Sequence, residues 1–147
     1  MQDARGSRAR PPGQTSGTEQ RPPHELREPV TALDLLDEAA RLRQEPTWQQ
    51  SDRNAKTFVK ANDLRLVLTT LKQGAVVKEH RAPGSAVVQT LSGRIRLGLP
   101  DRSVELPAGA LVVLEPNLPH DVEALEESAF AITIAWPPGA RGGESRG

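Results

Sequence analysis

Two of the three histidines, His80 and His120, lie in sequence that is typical of β-strands, and they are the side chains best suited to chemistry. The third, His24, lies in a segment rich in Pro and Arg. Imidazole can bind a divalent metal, transfer protons near neutral pH or hydrogen-bond a ligand. The chain has no Cys and no Tyr, which excludes disulfides, thiolate catalysis and Cys-based metal sites. No Ser-His-Asp or paired-carboxylate spacing supports a particular reaction.

The length and charge of the chain limit the remaining possibilities. It has 147 residues and a formal net charge of zero, which predicts one domain and no nucleic-acid or anionic membrane partner. No apolar run approaches the roughly 18 residues of a membrane span. The N-terminal region also lacks the apolar stretch that is typical of a secretory signal. We therefore expect a cytoplasmic protein without a membrane partner.

Composition and periodicity divide the chain into four segments. Residues 1–29 are rich in Arg, Pro, Gly, Ser and Gln and predict a disordered tail. Residues 30–46 predict a helix, residues 54–136 a β-barrel, and residues 137–147 a second disordered tail.

The helix is expected to begin at Thr31 as its N-cap, with a hydrophobic staple between Val30 and Leu35. Pro46 is expected to end it. Its apolar stripe, which we expect to pack on the outside of the barrel, consists of Leu35, Leu36, Ala39 and Leu42.

After Asn54 the apolar period changes to two, and turn signals rich in Gly, Pro, Asn and Asp separate short runs. Many short strands without intervening helices are typical of a sandwich or barrel, so the fold class is all-β. The predicted strands are Lys56–Lys60, Leu64–Leu71, Ala75–Val77, Ala86–Leu91, Arg94–Leu99, Ser103–Leu106, Ala110–Leu114, His120–Ala124 and Ala129–Trp136. Trp48 and Trp136 flank this region, and we interpret both as packing anchors.

Two glycine-led stretches have a spacing that resembles a known family. Gly74 precedes His80 by five intervening residues, and Gly93 ends that stretch. Gly109 precedes Glu115-Pro116-Asn117 by five residues, and His120 follows after two more. Asn117 can adopt the left-handed conformation of a motif glycine. In these features the region from about Lys56 to Trp136 resembles the cupin superfamily, in particular small RmlC-like cupins of the type-2 conserved barrel, which implies a jelly-roll β-barrel.

The resemblance also implies a metal site built from three His and one Glu. His80 and His120 take the first and last histidine positions. The second histidine position falls at Ala82, or at Arg81 if the loop is one residue shorter, and the Glu position falls at Ala86. The site is therefore degenerate, with His80 and His120 as the remaining ligands for a divalent transition metal (Fe, Zn, Mn or Ni).

Strand alternation predicts which side chains surround the histidines. Val88 and Thr90 share the parity of Ala86 and are expected to line the barrel, whereas Glu79 and Glu123 have the opposite parity to the neighbouring histidines. The predicted pocket consists of His80, Ala82, Ala86, Val88, Thr90 and His120. Arg81 either meets an anionic ligand at the mouth or is a solvated loop charge, and the surface preference of Arg favours the second interpretation.

Three functions follow. We favour a protein that binds or senses a small molecule, because Ala82 and Ala86 leave an apolar wall with two polar anchors. The alternative is a metal-dependent enzyme, dioxygenase- or isomerase-like, that uses His80 and His120. The third is a non-catalytic partner protein, and we expect a homodimer that covers an open strand.

Overall fold

The computed structural model describes residues 28–137, in which two short helices precede nine strands. The predicted tails and His24 lie outside the described residues, apart from residues 28, 29 and 137. The helices are α1 (Leu35–Leu42) and α2 (Pro46–Gln50). The strands are β1 (Arg53–Lys60), β2 (Leu64–Leu71), β3 (Val76–His80), β4 (Ala86–Ser92), β5 (Arg94–Gly98), β6 (Ser103–Pro107), β7 (Leu111–Leu114), β8 (His120–Ala124) and β9 (Ser128–Ala135).

The strands form two antiparallel sheets that face each other, which confirms the predicted all-β fold. One sheet has the order β1-β2-β9-β4-β7, and the other has the order β3-β8-β5-β6. Their inner faces share one apolar cluster, to which Val88 and Ile134 contribute from the first sheet and Ile95, Leu97 and Val122 from the second. Alternation along β4 and β5 places every second side chain in this interior.

The helical segment differs from the single helix predicted over residues 30–46. Helix α1 begins at Leu35, because Asp34 is extended and its carboxylate accepts a hydrogen bond of 3.0 Å from the backbone N–H of Asp37. Thr31 is therefore not the N-cap, and the predicted staple is wrong because Val30 is 77% exposed. Pro46 begins α2 instead of ending α1, since the first turn of a helix does not need the missing N–H of proline.

Helix α1 covers part of the outer face of the five-stranded sheet, where Ala39 and Leu42 pack in a second apolar cluster with Phe58 and Leu68. Leu36, which the apolar spacing places in the same stripe, is exposed instead. A buried amide holds the helices to β1. The Nδ2 atom of Asn54 donates to the carbonyl of Leu42 and to Oε1 of Glu45, each at 2.9 Å.

Both tryptophans are buried, as packing residues should be. The ammonium of Lys72 lies 5.0 Å from the ring centre of Trp48, and the guanidinium of Arg65 lies 4.0 Å from that of Trp136. Cations over indole faces add a favourable electrostatic contact to this packing. Among residues 28–137, neither helix has the length and apolarity that a membrane crossing requires.

Candidate functional site

The two histidines predicted to share one site meet across neighbouring strands. β3 pairs with β8 so that His80 lies opposite His120, after an irregularity in the register between Val77 and His80. The ring centroids are 4.3 Å apart, and the ring planes are inclined at 62°. His120 is 2% exposed, whereas His80 is half-buried. The pair of rings therefore extends from the buried interior of the barrel toward its surface.

The glycine and asparagine positions of both motifs have positive φ, which explains their residue types. Gly74, Gly93 and Gly109 have φ values of 88°, 79° and 91°, and Asn117 has φ of 66°. The left-handed conformation predicted for Asn117 is thus confirmed. From this turn its N–H donates to the carbonyl of Ala82 at 2.7 Å, which joins the loop after His80 to the loop before His120.

Both imidazole rings are held by a backbone carbonyl two residues earlier in the chain. Nδ1 of His80 lies 2.8 Å from the carbonyl oxygen of Lys78, and Nδ1 of His120 lies 3.0 Å from that of Leu118. A carbonyl oxygen only accepts hydrogen bonds, so Nδ1 carries the proton in each ring and Nε2 of a neutral ring is an acceptor. Nε2 of His120 is buried and has no hydrogen-bond partner.

The surroundings favour the neutral form of His120. Burial lowers the pKa of His120 from its ordinary value of 6.5, and the adjacent His80 lowers it further, while the Leu118 carbonyl and the carboxylates of Asp121 and Glu79 act in the opposite direction. Burial is the largest of these effects, because a charged imidazolium loses its hydration inside the barrel. At neutral pH His120 is therefore an uncharged ring with a free acceptor.

The apolar residues of the predicted pocket lie on the inner face of the barrel. Ala82, Ala86 and Val88 are buried and belong to one apolar cluster. Thr90 is also buried, but it lies four residues beyond Ala86, about 13 Å along β4 at roughly 3.3 Å per residue. Its hydroxyl has no hydrogen-bond partner. Ala82 therefore lies beside the loop that leads into His120, and Thr90 lies at the far end of β4.

The carboxylates near the histidines in sequence do not complete a metal site. Glu79 and Glu115 are exposed, and Oε1 of Glu123 lies 2.9 Å from Nη1 of Arg96 in a surface ion pair. Within residues 28–137, no group of three or more His, Cys, Asp or Glu side chains is arranged to hold a metal ion. The donors present thus do not fit the four-ligand site that the sequence resemblance implies.

Some residues of the site have no signal of their own in the sequence. The carbonyls of Lys78 and Leu118 orient the rings, and any residue type at these two positions would supply the same backbone oxygen. Gly84 lies so close to β9 that a Cβ atom there would overlap the carbonyl of Ala135. Its place after Pro83 predicts a turn but not this approach. Arg81 is exposed, as its solvated interpretation requires.

Comparisons with known proteins agree with this architecture. Residues 67–136 match the family model described as Cupin domain. No curated protein is similar enough to the chain to count as a match. Similar solved structures include a conserved protein of unknown function from Streptococcus pyogenes, with 23% identity, a TM-score of 0.59 and coverage of 76% of this chain and 92% of that chain.

Two further similar structures carry more specific names. A cupin superfamily protein from Desulfitobacterium hafniense has 12% identity and a TM-score of 0.56, covering 58% of this chain and 78% of that chain. A variant of salicylate 1,2-dioxygenase from Pseudoaminobacter salicylatoxidans has 15% identity and a TM-score of 0.64, covering 74% of this chain and 35% of that chain. Identities this low support a common fold alone.

Proposed function

Because the chain carries a cupin domain over residues 67–136, we propose that the protein binds a small molecule at the end of the barrel where His80 and His120 meet. The observation that carries the proposal is the buried, unpartnered Nε2 of His120. Leaving a buried acceptor unpaired costs about 1–3 kcal/mol. A ligand that pairs with this atom would recover that free energy on binding.

Apolar residues of the barrel interior support the same proposal. Ala82 and Ala86 are buried in the apolar cluster of the interior and contribute small side chains to it. An apolar wall with a few polar anchors is the common form of a small-ligand site. His80, half-buried beside His120, provides a second ring nitrogen nearer the surface.

The test is a screen of small neutral and charged fragments by saturation-transfer NMR on the wild-type protein. Fragments that bind should lose their signal transfer in the His120→Phe variant, which keeps an aromatic ring but lacks Nε2. The matched control is Arg96→Gln, because Arg96 lies on the outer surface and pairs with Glu123. The proposal is rejected if no fragment binds the wild type, or if binding survives unchanged in His120→Phe.

A metal-dependent enzyme of the dioxygenase or isomerase kind is the second candidate. One observation favours it: both Nδ1 atoms are engaged by carbonyls, and second-shell bonds of this kind orient imidazole toward a metal. Elemental analysis of protein purified without chelator tests it. Iron, zinc, manganese or nickel should be retained in proportion to protein and lost in the His80→Ala, His120→Ala double variant. Equal metal content in the two proteins would reject this candidate.

We also propose that the protein forms a homodimer through β7, an edge strand of the five-stranded sheet. Leu111 and Val113 point outward from β7 and are 49% and 67% exposed. The N–H of Thr90 donates to the carbonyl of Ala110, so alternation directs the backbone groups of Leu111 and Val113 to the free edge. The strand has no Lys or Pro to block pairing.

A second copy of β7 can pair with this edge in antiparallel fashion across a two-fold axis. Light scattering coupled to size exclusion should give the dimer mass for the wild type and the monomer mass for Val113→Lys. Val30→Lys is the matched control, because Val30 is exposed but lies far from β7 in sequence, before α1. A monomeric wild type at high protein concentration would refute the dimer.

A further inference from the structure

The two histidine rings are fixed by the same local arrangement in unrelated sequences. In Lys78-Glu79-His80 and in Leu118-Pro119-His120, the ring nitrogen Nδ1 bonds to the carbonyl two residues earlier, at 2.8 and 3.0 Å. The hydrogen bond made by Nδ1 sets the tautomer of each ring, and its partner in both rings is a carbonyl oxygen, which can only accept. Each neutral ring therefore presents a lone pair, and not a proton, at Nε2.

Two such acceptors cannot satisfy each other, although the ring centroids are only 4.3 Å apart. His120 is almost fully buried, its Nε2 has no partner, and Ala82 and Ala86 are buried in the same barrel interior. A buried polar side chain with a directed, unpaired acceptor is complementary to a donor group.

Charges around the site do not favour an anion. The two cations near His80 in sequence, Lys78 and Arg81, are both exposed, and Nη1 of Arg81 lies 3.5 Å from the carbonyl oxygen of Asn117 in the neighbouring loop. Glu79 and Asp121, which flank the two histidines, are acidic. An anionic group at Nε2 would therefore face a lone pair inside an apolar wall without a buried counter-charge.

We infer that the ligand of this site is uncharged and donates a hydrogen bond from a hydroxyl or amine group to Nε2 of His120, and that carboxylates and phosphates are excluded. The inference rests on the proposed binding function. It adds the chemical class of the ligand, an apolar body of small size with a neutral donor.

Three probes of similar shape separate the possibilities: phenol, which donates a hydrogen bond; anisole, which has a methyl group in place of that proton; and benzoate, which is an anion. Dissociation constants are measured at pH 7.5 from chemical-shift changes in the protein. Phenol should bind at least about 5-fold more tightly than either of the others, since an unpaired buried acceptor costs at least about 1 kcal/mol. In His120→Phe the advantage of phenol over anisole should disappear.

Long-range ¹H–¹⁵N correlation spectra of the free wild-type protein give a second, ligand-independent measurement, because the two ring nitrogens differ in shift between tautomers. Nδ1–H is expected for both rings. Nε2–H on His120, or anisole or benzoate binding as tightly as phenol, would overturn the inference while leaving a binding function intact. If none of the three probes binds, the inference fails, whereas the proposed function fails only if the fragment screen also finds no ligand.

Discussion

Replacing Thr90 with valine should stabilise this protein, although the substitution removes a polar group from a strand. Thr90 is 0% exposed on β4, and its hydroxyl has no hydrogen-bond partner. Valine has nearly the same shape and replaces the hydroxyl with a methyl group. Because an unpaired buried hydroxyl costs about 1–3 kcal/mol, we expect the free energy of unfolding to rise by about 1 kcal/mol or more.

The matched control is Thr70→Val. Thr70 is equally buried and lies on β2 of the same sheet, but its hydroxyl donates to the carbonyl of Asn54 at 3.1 Å. Loss of that hydrogen bond should lower the free energy of unfolding by about 1 kcal/mol. The gain in strand propensity is the same in both variants, so their difference, about 2 kcal/mol, reports only the pairing of the two hydroxyls.

Urea denaturation followed by circular dichroism measures both changes, and an unchanged slope with denaturant shows that the unfolding reaction is the same. The melting temperature should move by about 4 °C per kcal/mol for a folded region of this size. If Thr90→Val destabilises the protein as much as Thr70→Val does, the Thr90 hydroxyl has a bonding partner in solution. The reasoning from unpaired polar atoms, including that for His120, would then be refuted.

Three further predictions concern other parts of the molecule. Burial lowers the pKa of His120 from 6.5, so the unfolded state binds a proton at this ring more readily than the folded state does. The free energy of unfolding should therefore fall as the pH drops below about 6.5, by at most about 1.4 kcal/mol per pH unit. Urea titrations at several pH values should show a shallower fall for His120→Phe. Gly84→Ala should lower the free energy of unfolding by about 3 kcal/mol or more, because the new Cβ would overlap the carbonyl of Ala135. Gly74→Ala should lower it by only about 1–2 kcal/mol through conformational strain, because Gly74 has φ of 88° and nothing lies within 4 Å of its Cβ position. Equal losses of stability in thermal melts of the two variants would contradict this. Asn54→Ala should lower the free energy of unfolding by about 2–3 kcal/mol, because it removes one buried and one part-buried hydrogen bond to the helical segment. A loss below about 1 kcal/mol in urea would show that these bonds contribute little.

The strands could be predicted from sequence because their signal is local. Apolar alternation and turn residues act over a few positions, and β2 and β8 have the predicted bounds of Leu64–Leu71 and His120–Ala124. The helical segment could not be predicted as well. Thr31 and Asp34 are both good N-caps, and the structure uses Asp34, whose carboxylate accepts a hydrogen bond from the backbone N–H of Asp37.

For the candidate site, the sequence by itself determined the two histidines, their common end of the barrel and the small residues Ala82 and Ala86. These follow from motif spacing and from the parity of strand residues, which are properties of the chain alone. Only the tertiary structure decided that the His80 and His120 rings lie 4.3 Å apart, because the register of β3 on β8 depends on contacts between segments forty residues apart in sequence. It also decided which nitrogen of each ring is free, since the carbonyls that hold Nδ1 belong to the backbone and leave no trace in residue type.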